Sequence, residues 1–62
     1  MCELKVIINN AAVFENAIYA KTVESSVVVR DVLGNQKTFK NHTITEVNIA
    51  KEQLVLSQKT QN

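Results

Sequence analysis

Sixty-two residues at 6.9 kDa, 45% of them apolar, are enough for one folded domain and exclude a chain composed for disorder. Seven Lys and Arg against six Asp and Glu leave a formal net charge of +1, short of the basic excess that phosphate neutralisation demands. A single cysteine excludes an internal disulfide and suits a reducing cytoplasm, and no apolar run approaches the eighteen residues of a membrane span.

Nine valines, five isoleucines and five threonines make the residue mix a strand-forming one, because β-branched side chains fit a pleated surface better than a helix. The first predicted strand is Glu3 to Asn9, with Leu4, Val6 and Ile8 on one face and Glu3, Lys5 and Ile7 on the other. Asn9-Asn10 tolerates the positive φ of a tight turn. Val13 to Asn16 reads as a short strand or a loop, and Ala17 to Glu24 resumes extended structure up to the Ser25-Ser26 break. Val27 to Val32 is the strongest strand, apolar on both faces over its first half. Gly34, the only glycine, then predicts a two-residue type II′ hairpin that returns the chain along Lys37 to Lys40.

Beyond Asn41-His42, the apolar residues of Thr43 to Ile49 change parity between Ile44 and Val47, which predicts a bulge or bend near Thr45-Glu46. Ala50 to Gln53 reads as a connection and Leu54-Val55-Leu56 as the closing strand. These elements predict an all-β domain, a small antiparallel barrel or rolled sheet of five to six short strands over residues 1–58, followed by a polar tail at 59–62. Ile7, Val28 and Val55 lie opposite core-facing neighbours, so part of the apolar count is available to a partner chain.

Chemistry-bearing constellations are few. One glycine cannot make a glycine-rich phosphate loop, and the lone His42 has no sequence neighbours that would complete a triad, so an enzyme is not expected. Arg30, Lys37, Phe39 and Lys40 lie on the two arms of the Gly34 hairpin and form a candidate basic edge with one aromatic, as RNA-binding β-barrels use. Cys2 stands out for its position. Its thiolate can share an ion with the terminal amine and the intervening peptide nitrogen, a sulfur and nitrogen donor set suited to square-planar Ni(II) or Cu(II). One such arm leaves a site short of ligands, whereas two arms meeting at a two-fold axis supply four.

The opening Met1-Cys2-Glu3-Leu4-Lys5-Val6, the strand Val27 to Leu33 running through Asp31-Val32-Leu33 into Gly34, and Ile44-Thr45-Glu46-Val47-Asn48-Ile49 followed by Leu54-Val55-Leu56 together resemble the CooT family. These are small nickel-binding proteins, earlier described as predicted RNA-binding proteins. The resemblance implies an SH3-like barrel, a cytoplasmic homodimer without membrane attachment, and Ni(II) bound through Cys2. The first residue, Met1, contributes the terminal amine, or loses that role if it is removed. The resemblance also implies an accessory, metallochaperone-like role in nickel delivery to an enzyme such as carbon monoxide dehydrogenase or its maturation factors. A small RNA-binding or protein-interaction barrel without a metal is the alternative.

Overall fold

A computed structural model describes residues 3–59. They form six strands and, among the described residues, no helix: β1 (Leu4–Ile8), β2 (Ala11–Val23), β3 (Ser26–Asp31), β4 (Gln36–Lys40), β5 (His42–Asn48) and β6 (Gln53–Gln58). The expected all-β domain is present. All six belong to one sheet in the order β4-β3-β2-β1-β6-β5.

The sheet is curled but not closed. Its outermost strands, β4 and β5, are consecutive in the chain with only Asn41 between them, so the two ends of the sheet are drawn toward each other. No pairing joins them, so the expected barrel is an open, rolled sheet. Nor is the sheet wholly antiparallel: β1 and β6 pair in parallel, Val6 opposite Leu54 and Ile8 opposite Leu56. The intervening β2–β5 excursion supplies the long crossover that a parallel pair requires.

Seven residues make the core: Val6, Ala17, Val27, Val29, Phe39, Leu54 and Leu56, with Leu4, Ile8, Phe14 and Ile44 packed against them. Alternation places them there. Leu4, Val6 and Ile8 share the inner face of β1, and across the sheet Val27 pairs with Phe39. Ile7, Val28 and Val55, read as surplus to the core, are half-buried on the outer face, where Ile7 lies opposite Val55.

Left-handed backbone marks the corners. Asn9 and Asn10 both take positive φ, 52° and 65°, as the two central positions of a type I′ turn require. Asn16 (φ 60°) sits inside β2, where the ladder to β1 shifts register. The predicted break there is thus a kink within one thirteen-residue strand, not a gap between two. Thr45 is the extra residue of the expected bulge, between Ile44↔Leu56 and Glu46↔Val55, and its hydroxyl donates to the Val55 carbonyl at 3.2 Å.

The Gly34 hairpin differs from the expected II′ turn. Gly34 N–H donates to the Asp31 carbonyl (3.1 Å), Asp31 N–H donates to the Asn35 carbonyl (2.9 Å), and Gly34 has φ 91°. This is the longer connection in which a turn is followed by a left-handed glycine at a bulge. Asp31 explains the choice. Its carboxylate accepts from the backbone N–H of Leu33 (2.9 Å) and Asn35 (2.8 Å) and from the Asn35 side-chain amide (3.0 Å). Three donors on one acidic group organise a loop that a two-residue turn would not accommodate.

Desolvation pushes the Asp31 pKa up, but the hydrogen bonds from Asn35, Leu33 and Gly34 outweigh it and hold the carboxyl below its ordinary value of 3.8. A depressed carboxyl stabilises the fold above its unfolded-state pKa, and that contribution is lost as pH falls through the folded value. The Leu33 and Asn35 amide resonances should therefore shift together in acid, below the ordinary carboxylate range. In Asp31→Asn that titration should vanish; a midpoint at or above the ordinary value in the native protein would contradict the assignment.

Candidate functional site

Met1 and Cys2, the expected metal ligands, lie outside the described residues. The structure defines the base from which they extend. Leu4 is opposite Ala17 on one side and Lys5 is opposite Gln53 on the other, and Lys5 N–H donates to the Glu52 carbonyl at 2.9 Å. The start of β1 is consequently held by both neighbouring strands and by the β5–β6 turn. That turn is itself set by Lys51 N–H donating to Asn48 Oδ1 (3.0 Å) and by Glu52 in the left-handed region (φ 56°).

Two pockets flank this base. One, of about 360 Å³, is polar and lined by Glu3, Lys5, Asn16, Lys51 and Glu52. Its two carboxylates are matched by two ammonium groups, so it carries no net charge that would by itself draw in an ion. Sequence reading missed Asn16, Lys51 and Glu52 as neighbours of the chain's first residues, because the β1–β6 parallel register that gathers them is a tertiary fact; Asn16 alone left a trace, as the break predicted in β2. The other pocket, of similar volume, is an apolar groove where Leu4, Ile18, Ile44, Val47 and Leu54 meet.

Among the described residues no three His, Cys, Asp or Glu side chains come together in a metal-binding group. His42 is half-buried at the start of β5, with Nδ1 2.9 Å from the Lys40 carbonyl. A carbonyl only accepts, so Nδ1 is the donor in this contact. Its ring meets Phe39 edge-on, with centroids 6.3 Å apart. This is a histidine packed at a corner.

The four residues of the candidate RNA surface fall on two faces of the sheet. Phe39 is in the core opposite Val27, with the Lys37 ammonium 5.4 Å from its ring centroid. Arg30 and Lys40 lie on the outer face. There the Arg30 guanidinium sits 4.5 Å over the Tyr19 ring and Nη2 donates to Gln36 Oε1 at 3.2 Å. Lys37 and Phe39 are thus separated by the sheet from Arg30 and Lys40, and Tyr19, not Phe39, is the outer-face aromatic beside a cation.

A family model described as CO dehydrogenase accessory protein CooT matches residues 1–57. In shape the chain is similar to a crystal structure assigned to CooT from Carboxydothermus hydrogenoformans, with a TM-score of 0.80 at 16% identity over 95% of this chain and 100% of that one. At that identity the likeness establishes a common fold. No curated protein matches the chain.

Proposed function

The chain belongs to the CooT family of CO dehydrogenase accessory proteins, and from that premise we propose that it carries Ni(II) as cargo, held by the Cys2 thiolate with amine nitrogen from the start of the chain. The observation that carries this reading is the extent of the family match, which runs from residue 1 and so includes Met1-Cys2. Carbon monoxide dehydrogenase is a nickel enzyme, and a protein accessory to it has reason to handle that ion.

The donor chemistry supports the reading. A soft thiolate and nitrogen donors suit nickel in a square plane, and one chain offers too few of them for a saturated site. Two chains with their first residues together provide two sulfurs and at least two nitrogens. The recipient then removes the ion by ligand exchange.

Calorimetric titration of reduced protein with Ni(II) should give one ion per two chains, with a thiolate-to-nickel charge-transfer band in the near ultraviolet. Cys2→Ser should abolish the band and the measurable binding while leaving the strand signature in circular dichroism unchanged. Equal nickel binding by Cys2→Ser would remove Cys2 from the site.

A further inference from the structure

β4 ends the sheet. Its residues, Gln36 to Lys40, pair with β3 on one side, and among the described residues no strand pairs with them on the other. The β3–β4 register fixes which backbone groups are spare. Asp31 N–H donates across to the Asn35 carbonyl, and hydrogen-bonded pairs recur at every second residue from there, so Val29 bonds to Lys37 and Val27 to Phe39. The amides and carbonyls of Gln36, Thr38 and Lys40 consequently point away from β3. The Lys40 carbonyl shows this directly, since it accepts from His42 Nδ1 at 2.9 Å across the corner. The N–H and C=O groups of Gln36 and Thr38 are left for a strand laid alongside, and the side chains of Gln36, Lys37, Thr38 and Lys40 around them are exposed.

The charges on β4 select what can pair there. Lysine on an edge strand deters a second copy, because a two-fold pairing sets like charges against each other, and it favours a strand of opposite charge. β4 carries Lys37 and Lys40 and no acid. On β3, Arg30 adds a cation beside Gln36, while Asp31, the one acid of that strand, is turned into its own loop by the bonds from Leu33 and Asn35. Lys37 and Lys40 are three residues apart and so lie on opposite faces of the strand. The residues across from them on an added strand are also three apart, and the one across from Phe39 meets the margin of the core. The edge of β5, at the other end of the sheet, has no such pattern: the Thr45 bulge interrupts it and Glu46 is its charge.

We propose that β4 receives an extended acidic segment of a partner protein as an added strand, with two carboxylates three residues apart meeting Lys37 and Lys40 and an apolar residue opposite Phe39. Main-chain bonds to Gln36 and Thr38 supply affinity, and the spacing of the acids supplies selection. Two strands separate β4 from β1, which carries the Cys2 arm, so this inference stands apart from the nickel reading.

A capped Thr-Glu-Val-Thr-Glu-Thr peptide is the probe, titrated at low salt into isotope-labelled protein. It should shift the Gln36, Thr38 and Lys40 amide resonances and slow hydrogen exchange at Gln36 and Thr38. Thr-Glu-Val-Glu-Thr-Thr, the same residues with the acids two apart, meets only one of the lysines and should bind about two- to fivefold more weakly. Thr38→Pro removes an N–H from the edge and none from the β3 ladder, and should end the slowing. Lys37→Glu combined with Lys40→Glu leaves the backbone intact and should lose the acidic probe even if the proline variant does not fold. No shift at these amides with millimolar peptide, or equal binding by the charge-reversed chain, would overturn the proposal. So would Gln36 and Thr38 amides already protected in the free chain, which would assign the edge to the chain's own C-terminal residues or to a second copy. An oligouridylate that bound these residues in preference to the peptide would overturn it in favour of nucleic acid.

Discussion

Leu56→Ala is expected to unfold most of the protein at 25 °C. Leu56 is 1% exposed and among the four largest fully buried side chains, on β6 between Ile8 of β1 and Ile44 of β5. Removing its three outer carbons forfeits their transfer free energy and leaves a cavity that neighbours on three strands cannot collapse into, a loss of about 2–5 kcal/mol. A domain of this size rarely has more than about 3–5 kcal/mol in total. Among the described residues the buried core has seven members, and no second buried cluster accompanies it. Urea denaturation followed by circular dichroism checks this, with Leu56→Met, which keeps the volume, expected to lose less than about 1.5 kcal/mol. At the other extreme is Leu33, 83% exposed at the β3–β4 tip. Leu33→Ser should stay within about 0.5 kcal/mol of the native protein. A Leu56→Ala variant as stable as Leu33→Ser would mean that the seven residues are not the core.

What could be read from the sequence was local, and what could not be read was set by contacts far apart in the chain. The Asn9-Asn10 turn and the Thr45 bulge were both visible, one from two residues that tolerate positive φ, the other from a change of parity between Ile44 and Val47. The Gly34 turn was placed correctly but given the wrong type, because three hydrogen bonds to one Asp31 carboxylate determine the loop and a glycine alone does not reveal them. Asn16 looked like the end of an element because it interrupts the alternation. In the fold its left-handed backbone bends β2, which continues because β3 pairs with it beyond the bend. The parallel β1–β6 pair left no local trace at all, since Val6 and Leu54 are related only through the four strands between them. The same holds at the candidate site. Cys2 is conspicuous by position, but the clamp on β1 appears only once both ladders are laid out. Phe39 illustrates the opposite hazard. An aromatic among lysines suggests a stacking surface, and strand parity alone puts Lys37 and Phe39 on the opposite face from Lys40.

Asn41→Pro is expected to abolish cooperative folding, and the reason lies in the topology. Asn41 alone connects β4 to β5, the two outermost strands of the sheet, and it does so at φ 61°. The corner is bonded on each side: His42 N–H donates to the Ser25 carbonyl at 3.2 Å, and the Asn41 carbonyl accepts from Lys59 N–H at 2.7 Å. Proline fixes φ near −65°, so the chain cannot turn here and the curl that brings Phe39 over the core loses its constraint. Graded substitutions separate this backbone effect from loss of the side chain. Asn41→Gly keeps the left-handed conformation accessible and should stay close to the native stability. Asn41→Val must place a β-branched residue at positive φ, with an expected loss of about 1–2 kcal/mol, or about 4–8 °C in melting temperature per kcal/mol for a domain this small. If valine and glycine melted alike, the left-handed corner would not be what holds the sheet curled. If they separate in this order, the curl depends on one residue's backbone.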